Sequence, residues 1–170
     1  MTLLRVLVAY SSRNRSTAGI AAWVGETLRD RGLEADVTAA EKAHDISRYD
    51  AVVLGSAVYA GRWRSDATRF ARLHRHQLRR MPVWLFSSGR RNTSRRRERI
   101  PPPPSVARIA RRLGAEEHRT FGGRLTDGAS GALAGRLLGE GPGGDLRDQQ
   151  EVSAWGGGIA ARLRSERAGV

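Results

Sequence analysis

A chain of 170 residues and 18.6 kDa has the size of one domain that can bury a sizeable core. It carries no cysteine, which excludes disulfides, thiolate metal sites, iron–sulfur clusters and cysteine nucleophiles, and no apolar run approaches the ~20 residues that span a bilayer. The balance is strongly basic, 30 Lys+Arg against 17 Asp+Glu for a net charge of +13, and Lys42 is the one lysine.

Met1-Thr2-Leu3-Leu4-Arg5 lacks the charged start, long apolar stretch and cleavage site of a signal peptide, so the expected setting is the cytoplasm. Leu3 to Ala9 is a short apolar run that predicts a buried strand ending at Tyr10-Ser11-Ser12. Ser16 can cap a helix that carries Ile20, Val24 and Leu28 on one face and stops at Gly32. Leu33 to Thr38 predicts a second strand, and the polar stretch Glu41 to Tyr49 a connector. Asp50 to Ser56 predicts a third, buried strand, followed by a loop from Ala57 to Trp63. Residues 64–80 predict one helix with Ala67, Phe70, Ala71 and Leu78 inward.

Pro82 to Ser88 predicts a fourth strand, with its proline tolerated at the start. A basic loop follows from Gly89 to Ile100, and Pro101 to Pro104 can lead into a helix opened by Ser105 and stopped by Gly114. His118 to Leu125 predicts a fifth strand, and a weak helical stretch lies around Leu133 to Leu138. Asp148 and Glu151 form a capping-box pair for a last helix bearing Val152, Trp155, Ile159 and Leu163. Gly156-Gly157-Gly158 inside that helix weakens it by about 1 kcal/mol per glycine relative to alanine. Strands alternating with helices predict a parallel sheet covered on both faces, within a single domain over residues 1–170.

Ligands of such sheets sit beyond the carboxyl ends of the strands. The first strand-end loop offers Ser11, Ser12, Arg13, Asn14, Arg15, Ser16 and Thr17. Hydroxyls, an amide, two arginines and the unpaired N–H groups of a helix start suit a phosphate, although an ordinary capped helix start has the same appearance. The second loop is Ala57, Val58, Tyr59, Ala60 and Gly61, leading to Arg62 and Trp63. Tyr59 and Trp63 could stack on a flat ligand ring or simply cover the sheet end. The third is Ser87, Ser88 and Gly89, where glycine permits close backbone approach.

With these pieces in order, the chain resembles the flavodoxin-like family across nearly its full length. It is most similar to the flavodoxin-domain proteins grouped with menaquinone-dependent protoporphyrinogen oxidase. The resemblance is carried by Val8 to Ser12 with Ser16-Thr17, Tyr49 to Gly61, Leu85 to Gly89, Phe121 to Leu125 and Gly143 to Asp148. It implies a doubly wound five-stranded sheet of order 2-1-3-4-5, with FMN as cofactor held by the three strand-end loops. It also implies electron transfer or FMN-dependent oxidation, with a quinone or porphyrinogen as substrate. The family's phosphate loop carries glycine where Arg15 stands. Glycine there allows a positive φ that arginine tolerates poorly, so Arg15 either takes ordinary angles and adds charge, or impairs the site. Two other readings stay open: a flavodoxin-fold binding module that has lost FMN and acts through protein contacts, and an anion-binding surface protein.

The charge is local. Residues 1–61 are neutral overall and residues 113–170 carry −1, whereas residues 62–112 hold sixteen arginines against Asp66 and Glu98. Right-handed crossovers place the helices of this segment on one face of the sheet. That predicts a basic face suited to an acidic redox partner or an anionic membrane surface, with codon bias as the plain alternative. Three other functions are not expected. Arg95-Arg96-Arg97 has no interleaved aromatics for nucleic acid, His74 and His76 lie on a basic helix unsuited to a metal, and neither Ser87 nor Ser88 sits in a nucleophile elbow.

Overall fold

The computed structural model describes residues 2–12, 15–89, 100–122 and 148–169. The elements in chain order are β1 (Arg5–Ser11), α1 (Ser16–Asp30), β2 (Glu34–Ala39), a short 3-10 turn (Ala40–Lys42), β3 (Ala51–Tyr59) and β4 (Arg62–Trp63). They continue with α2 (Ser65–Leu73), α3 (Arg75–Leu78), β5 (Val83–Gly89), α4 (Pro104–Leu113), β6 (Glu117–Gly122) and α5 (Gln149–Ala168).

The sheet runs β2-β1-β3-β5-β6, all parallel. Counting the five parallel strands alone, this is the predicted order 2-1-3-4-5. The sixth strand, β4, is a two-residue addition that folds back antiparallel on β3. It corrects the expected loop from Ala57 to Trp63: β3 continues through Tyr59, and a tight turn at Ala60 and Gly61, both at positive φ, reverses the chain.

Alternation along each strand sorts the core into two layers. Val6 and Val8 of β1, with Val53, Trp84 and Phe86, pack under α1 and α5. Leu7 and Ala9, with Val52, Leu54, Val83 and Leu85, pack under α2, α3 and α4. The predicted helix over 64–80 is two helices, because the chain breaks at His74 (φ −103°, ψ 13°), whose ring lies 4.6 Å from that of Phe70. Gly55 stands opposite Phe86 in the register, and the Phe86 ring fills the place a Cβ on Gly55 would need. That ring sits 6.1–6.2 Å from Phe121 and Trp155, which are themselves 5.4 Å apart.

The triple glycine of α5 has a packing reason. A Cβ at Gly156 would stand 3.2 Å from Thr27 and one at Gly157 3.1 Å from Arg31, so the absent side chains let α5 approach α1 closely. Gly158 faces open space. The Asp148 carboxylate accepts from Glu151 N–H at 3.2 Å, the expected cap of α5. The weak helical stretch around Leu133 to Leu138, and Arg95-Arg96-Arg97, lie outside the described residues.

Candidate functional site

Three of the strand ends meet at one edge of the sheet. In the register Ser11 stands opposite Ser56, Ser56 opposite Ser87, and Ser87 opposite Thr120. Parallel register turns all four side chains to the face covered by α2–α4, giving a row of hydroxyls across four strands. The three serines are buried to 2% or less. Burial at that depth requires partners, and the β4 segment supplies them. Arg64 N–H donates to Ser56 Oγ at 3.0 Å, and Arg64 Nε to Ser11 Oγ at 3.2 Å. Trp63 Nε1 donates to Ser87 Oγ at 2.8 Å, and Ser87 Oγ lies 2.7 Å from His118 Nε2.

The row therefore anchors the hairpin turn that presents Tyr59, Ala60 and Gly61. Trp63 is 5% exposed and committed to Ser87, so it covers the sheet end and does not stack on a ligand. Tyr59 remains 47% exposed at the rim. Burial lowers the His118 pKa from 6.5 to about 4, against a smaller opposing pull from Glu117, so the imidazole is neutral. Its Nδ1 and the Thr120 hydroxyl are buried without partners among the described residues.

On the opposite face, Thr17 and Ser88 share a buried hydrogen bond of 2.7 Å that ties the first turn of α1 to the end of β5. Ser16 does not cap this helix. Arg15 does, in the left-handed region at φ 62° and ψ −4°, with no side-chain cap bond. The ordinary angles that were one outcome expected for Arg15 are not found: its side chain is exposed, and its backbone keeps the conformation glycine would favour. The first backbone bond of α1 runs from Gly19 N–H to Arg15 C=O, so the N–H groups of Ser16, Thr17 and Ala18 precede the ladder. No acidic residue lies in this turn, and the Ser12 hydroxyl is buried without a partner among the described residues. Unmatched donors and a positive helix end suit a bound dianion.

The structure thus brings Ser11, Ser12, Arg15, Ser16 and Thr17 to the same sheet edge as Ala57, Val58, Tyr59, Ala60, Gly61, Ser87, Ser88 and Gly89. Arg13 and Asn14 lie outside the described residues. Sequence reasoning missed Arg64, Trp63 and His118 as supports of the turn. Its signal was the serine that ends each of three strands, which were weighed one loop at a time. The arginine tied to the strand ends is Arg64, whereas Arg62 is exposed on β4 and Arg90 lies outside the described residues.

A doubly wound parallel sheet with a phosphate-type helix start beside an anchored aromatic turn defines a flavodoxin-like protein. The chain belongs to the flavodoxin domain family, whose model matches residues 7–128. FMN is the cofactor of that family. Over 86 residues the chain is 28% identical to the protoporphyrinogen IX dehydrogenase [quinone] of Escherichia coli K12, covering 49% of this chain and 48% of that protein. The chain therefore spans about half the length of the curated relatives it matches. Among solved structures, it is similar to rubredoxin oxygen:oxidoreductase of Desulfovibrio gigas (TM-score 0.67, 15% identity, 96% of this chain and 37% of that one). It is also similar to an archaeal flavodoxin (TM-score 0.61, 14% identity, 95% and 99%). Among the described residues no helix is long and apolar enough to cross a membrane.

Proposed function

We propose that this chain is an FMN-dependent oxidoreductase that takes two electrons from a reduced, porphyrinogen-type substrate and passes them to a quinone. Electron transfer through FMN follows from the family; the substrate and acceptor are suggested by the E. coli relative. FMN, when bound, would supply the redox chemistry. The chain's own residues hold it. The N–H groups of Ser16 and Thr17 and the Ser12 hydroxyl would bind its phosphate, and the Ala57–Gly61 turn with Tyr59, together with Ser88 and Gly89, would hold its ring.

The observation that carries the reading is the left-handed backbone of Arg15 at an unsatisfied helix start free of acidic residues. The chain keeps an uncommon conformation there although it lacks the residue that suits it. The two-electron character is supported by charge. Fully reduced FMN is an anion. Arg64 is tied to the strand-end row, and residues 11–12, 15–17, 57–61 and 87–89 carry no carboxylate. A nearby cation favours the reduced anion.

The test is FMN titration of the purified chain followed by anaerobic reductive titration, then oxidation of protoporphyrinogen with a quinone as acceptor. Micromolar or tighter binding, a single two-electron step and substrate turnover are expected. Failure of the folded chain to take up FMN would leave it a binding module. Uptake with stepwise one-electron reduction would make it a carrier.

A further inference from the structure

We propose that the face formed by α2, α3 and α4 docks the protein on an anionic lipid bilayer. These helices lie side by side on one face of the sheet, since α4 packs against α2, α3 and β4. Arg69 and Arg72 on α2, Arg75 and Arg79 on and just after α3, and Arg108 and Arg111 on α4 all project to solvent. None of these guanidinium groups has an ion pair or hydrogen bond among the described residues. The acidic residue on these three helices is Asp66. The opposite face is mixed in sign: α1 and α5 carry Glu26, Asp30, Glu151 and Glu166 beside their arginines, and of these arginines Arg29 donates to Ala35 C=O and Arg162 pairs with Glu116 and Glu166.

Helix-end charge accounts for part of the pattern, because Arg72 and Arg111 sit in last turns, where a cation is favourable. It does not account for Arg69 or Arg108 in mid-helix, or for Arg75 at a helix start. Unpaired cations of one sign on a broad face raise the local concentration of anions.

The kind of anion follows from what accompanies the arginines. Protein interfaces are anchored by aromatic residues together with arginine, and these three helices expose arginine without the aromatics. A single-stranded nucleic-acid surface would need rings for stacking. The one phenylalanine of these helices, Phe70, is buried. What is exposed instead is Leu73, 63% accessible between Arg72 and Arg75. A leucine ringed by arginines suits the headgroup boundary, where guanidinium groups meet phosphates and the apolar side chain lies below them. The face also reaches the candidate site, since Ser105 Oγ at the start of α4 donates to Gly61 C=O at 2.9 Å. The inference goes beyond the FMN reading and does not rest on it, because lipid binding is read directly.

The experiment is co-sedimentation of the full chain with phosphatidylcholine vesicles and with vesicles holding about 30% phosphatidylglycerol, at about 0.1 M salt. Binding to the anionic vesicles alone, released near 1 M salt, is expected. Each arginine at such a surface contributes about fivefold. Arg108→Glu with Arg111→Glu therefore lowers binding at least about tenfold. Arg164→Glu with Arg167→Glu on α5 changes net charge equally and lowers it less than about threefold. Leu73→Ser costs several-fold more at unchanged charge. Circular dichroism confirms that each variant is folded. Equal losses from the two double variants, binding to neutral vesicles, or no effect of Leu73→Ser together with equal affinity for duplex DNA would each overturn the proposal.

Discussion

Replacing Arg15 tests whether the phosphate-loop backbone is already set in this chain. Its φ of 62° lies where an L-residue with a Cβ is disfavoured by roughly 1–2 kcal/mol. Arg15→Gly removes that penalty but loosens the unfolded chain, which costs about 0.4–1 kcal/mol. The net gain is about 0.5–1 kcal/mol. For 170 residues that corresponds to a rise in Tm of roughly 2–4 °C per kcal/mol. Arg15→Ala keeps the Cβ strain and removes the guanidinium, so it separates charge from backbone. The exposed charge contributes little through solvent, about 1 kcal/mol at most. FMN affinity should therefore move less than about tenfold in either variant, while glycine alone raises Tm. Calorimetry and fluorescence titration of the three proteins give both readouts. A hundredfold gain in affinity with glycine would show that the arginine holds the loop in a different shape. Equal Tm for glycine and alanine would refute the strain.

Four further outcomes follow from the packing and the titration of this fold. Gly55→Ala must displace the Phe86 ring from its contacts with Phe121 and Trp155, and should cost about 1–3 kcal/mol in a denaturation series; Gly158→Ala, in open space, should gain about 0.5–1 kcal/mol. Because burial lowers the His118 pKa to about 4, its contribution to stability is complete above the unfolded value of 6.5 and is lost as pH falls from 6.5 toward 4. Urea denaturation should show about 1–2 kcal/mol of loss over that window, after allowing for remaining solvent contact, and His118→Gln should flatten it. Thr17→Val should cost about 1–2 kcal/mol by stranding the Ser88 hydroxyl, and adding Ser88→Ala should cost less than the sum of the two single changes in a double-mutant cycle.

The strands and long helices were legible because burial on two sides writes continuous apolar runs, as in Val52-Val53-Leu54, and burial on one side writes four-residue spacing, as in Ile20, Val24 and Leu28. The β4 hairpin was not legible. Its two residues, Arg62 and Trp63, have no period, and their place is set by hydrogen bonds to Ser56 and Ser87, which only the folded register brings near. The break at His74 was hidden for a similar reason: the apolar positions stay inward on both sides of it. Arg15 shows the reverse limit. Local preference argues against a left-handed arginine, and tertiary context overrides the preference.

The triple glycine and the arginines illustrate how the same surface question has two answers in one sheet. On the α1–α5 face, missing side chains at Gly156 and Gly157 bring helix against helix, and the charges there are mixed in sign, with Glu26, Asp30, Glu151 and Glu166 among the arginines and Arg162 paired to Glu116 and Glu166. On the α2–α4 face, the inward positions are just as apolar, with Ala67, Phe70, Val106 and Leu113 buried, but the outward positions are cations without partners. Since both faces cover the same sheet equally well, core formation does not require the difference. Like charges on neighbouring helices repel, and the chain could relieve this with one glutamate per turn, as Arg162 and Glu166 do on α5. A fold that leaves such repulsion standing on one face, next to the turn that bears Gly61, is better explained by a partner of opposite sign than by codon usage alone, which adds arginines to both faces but does not strip one of them of acidic residues.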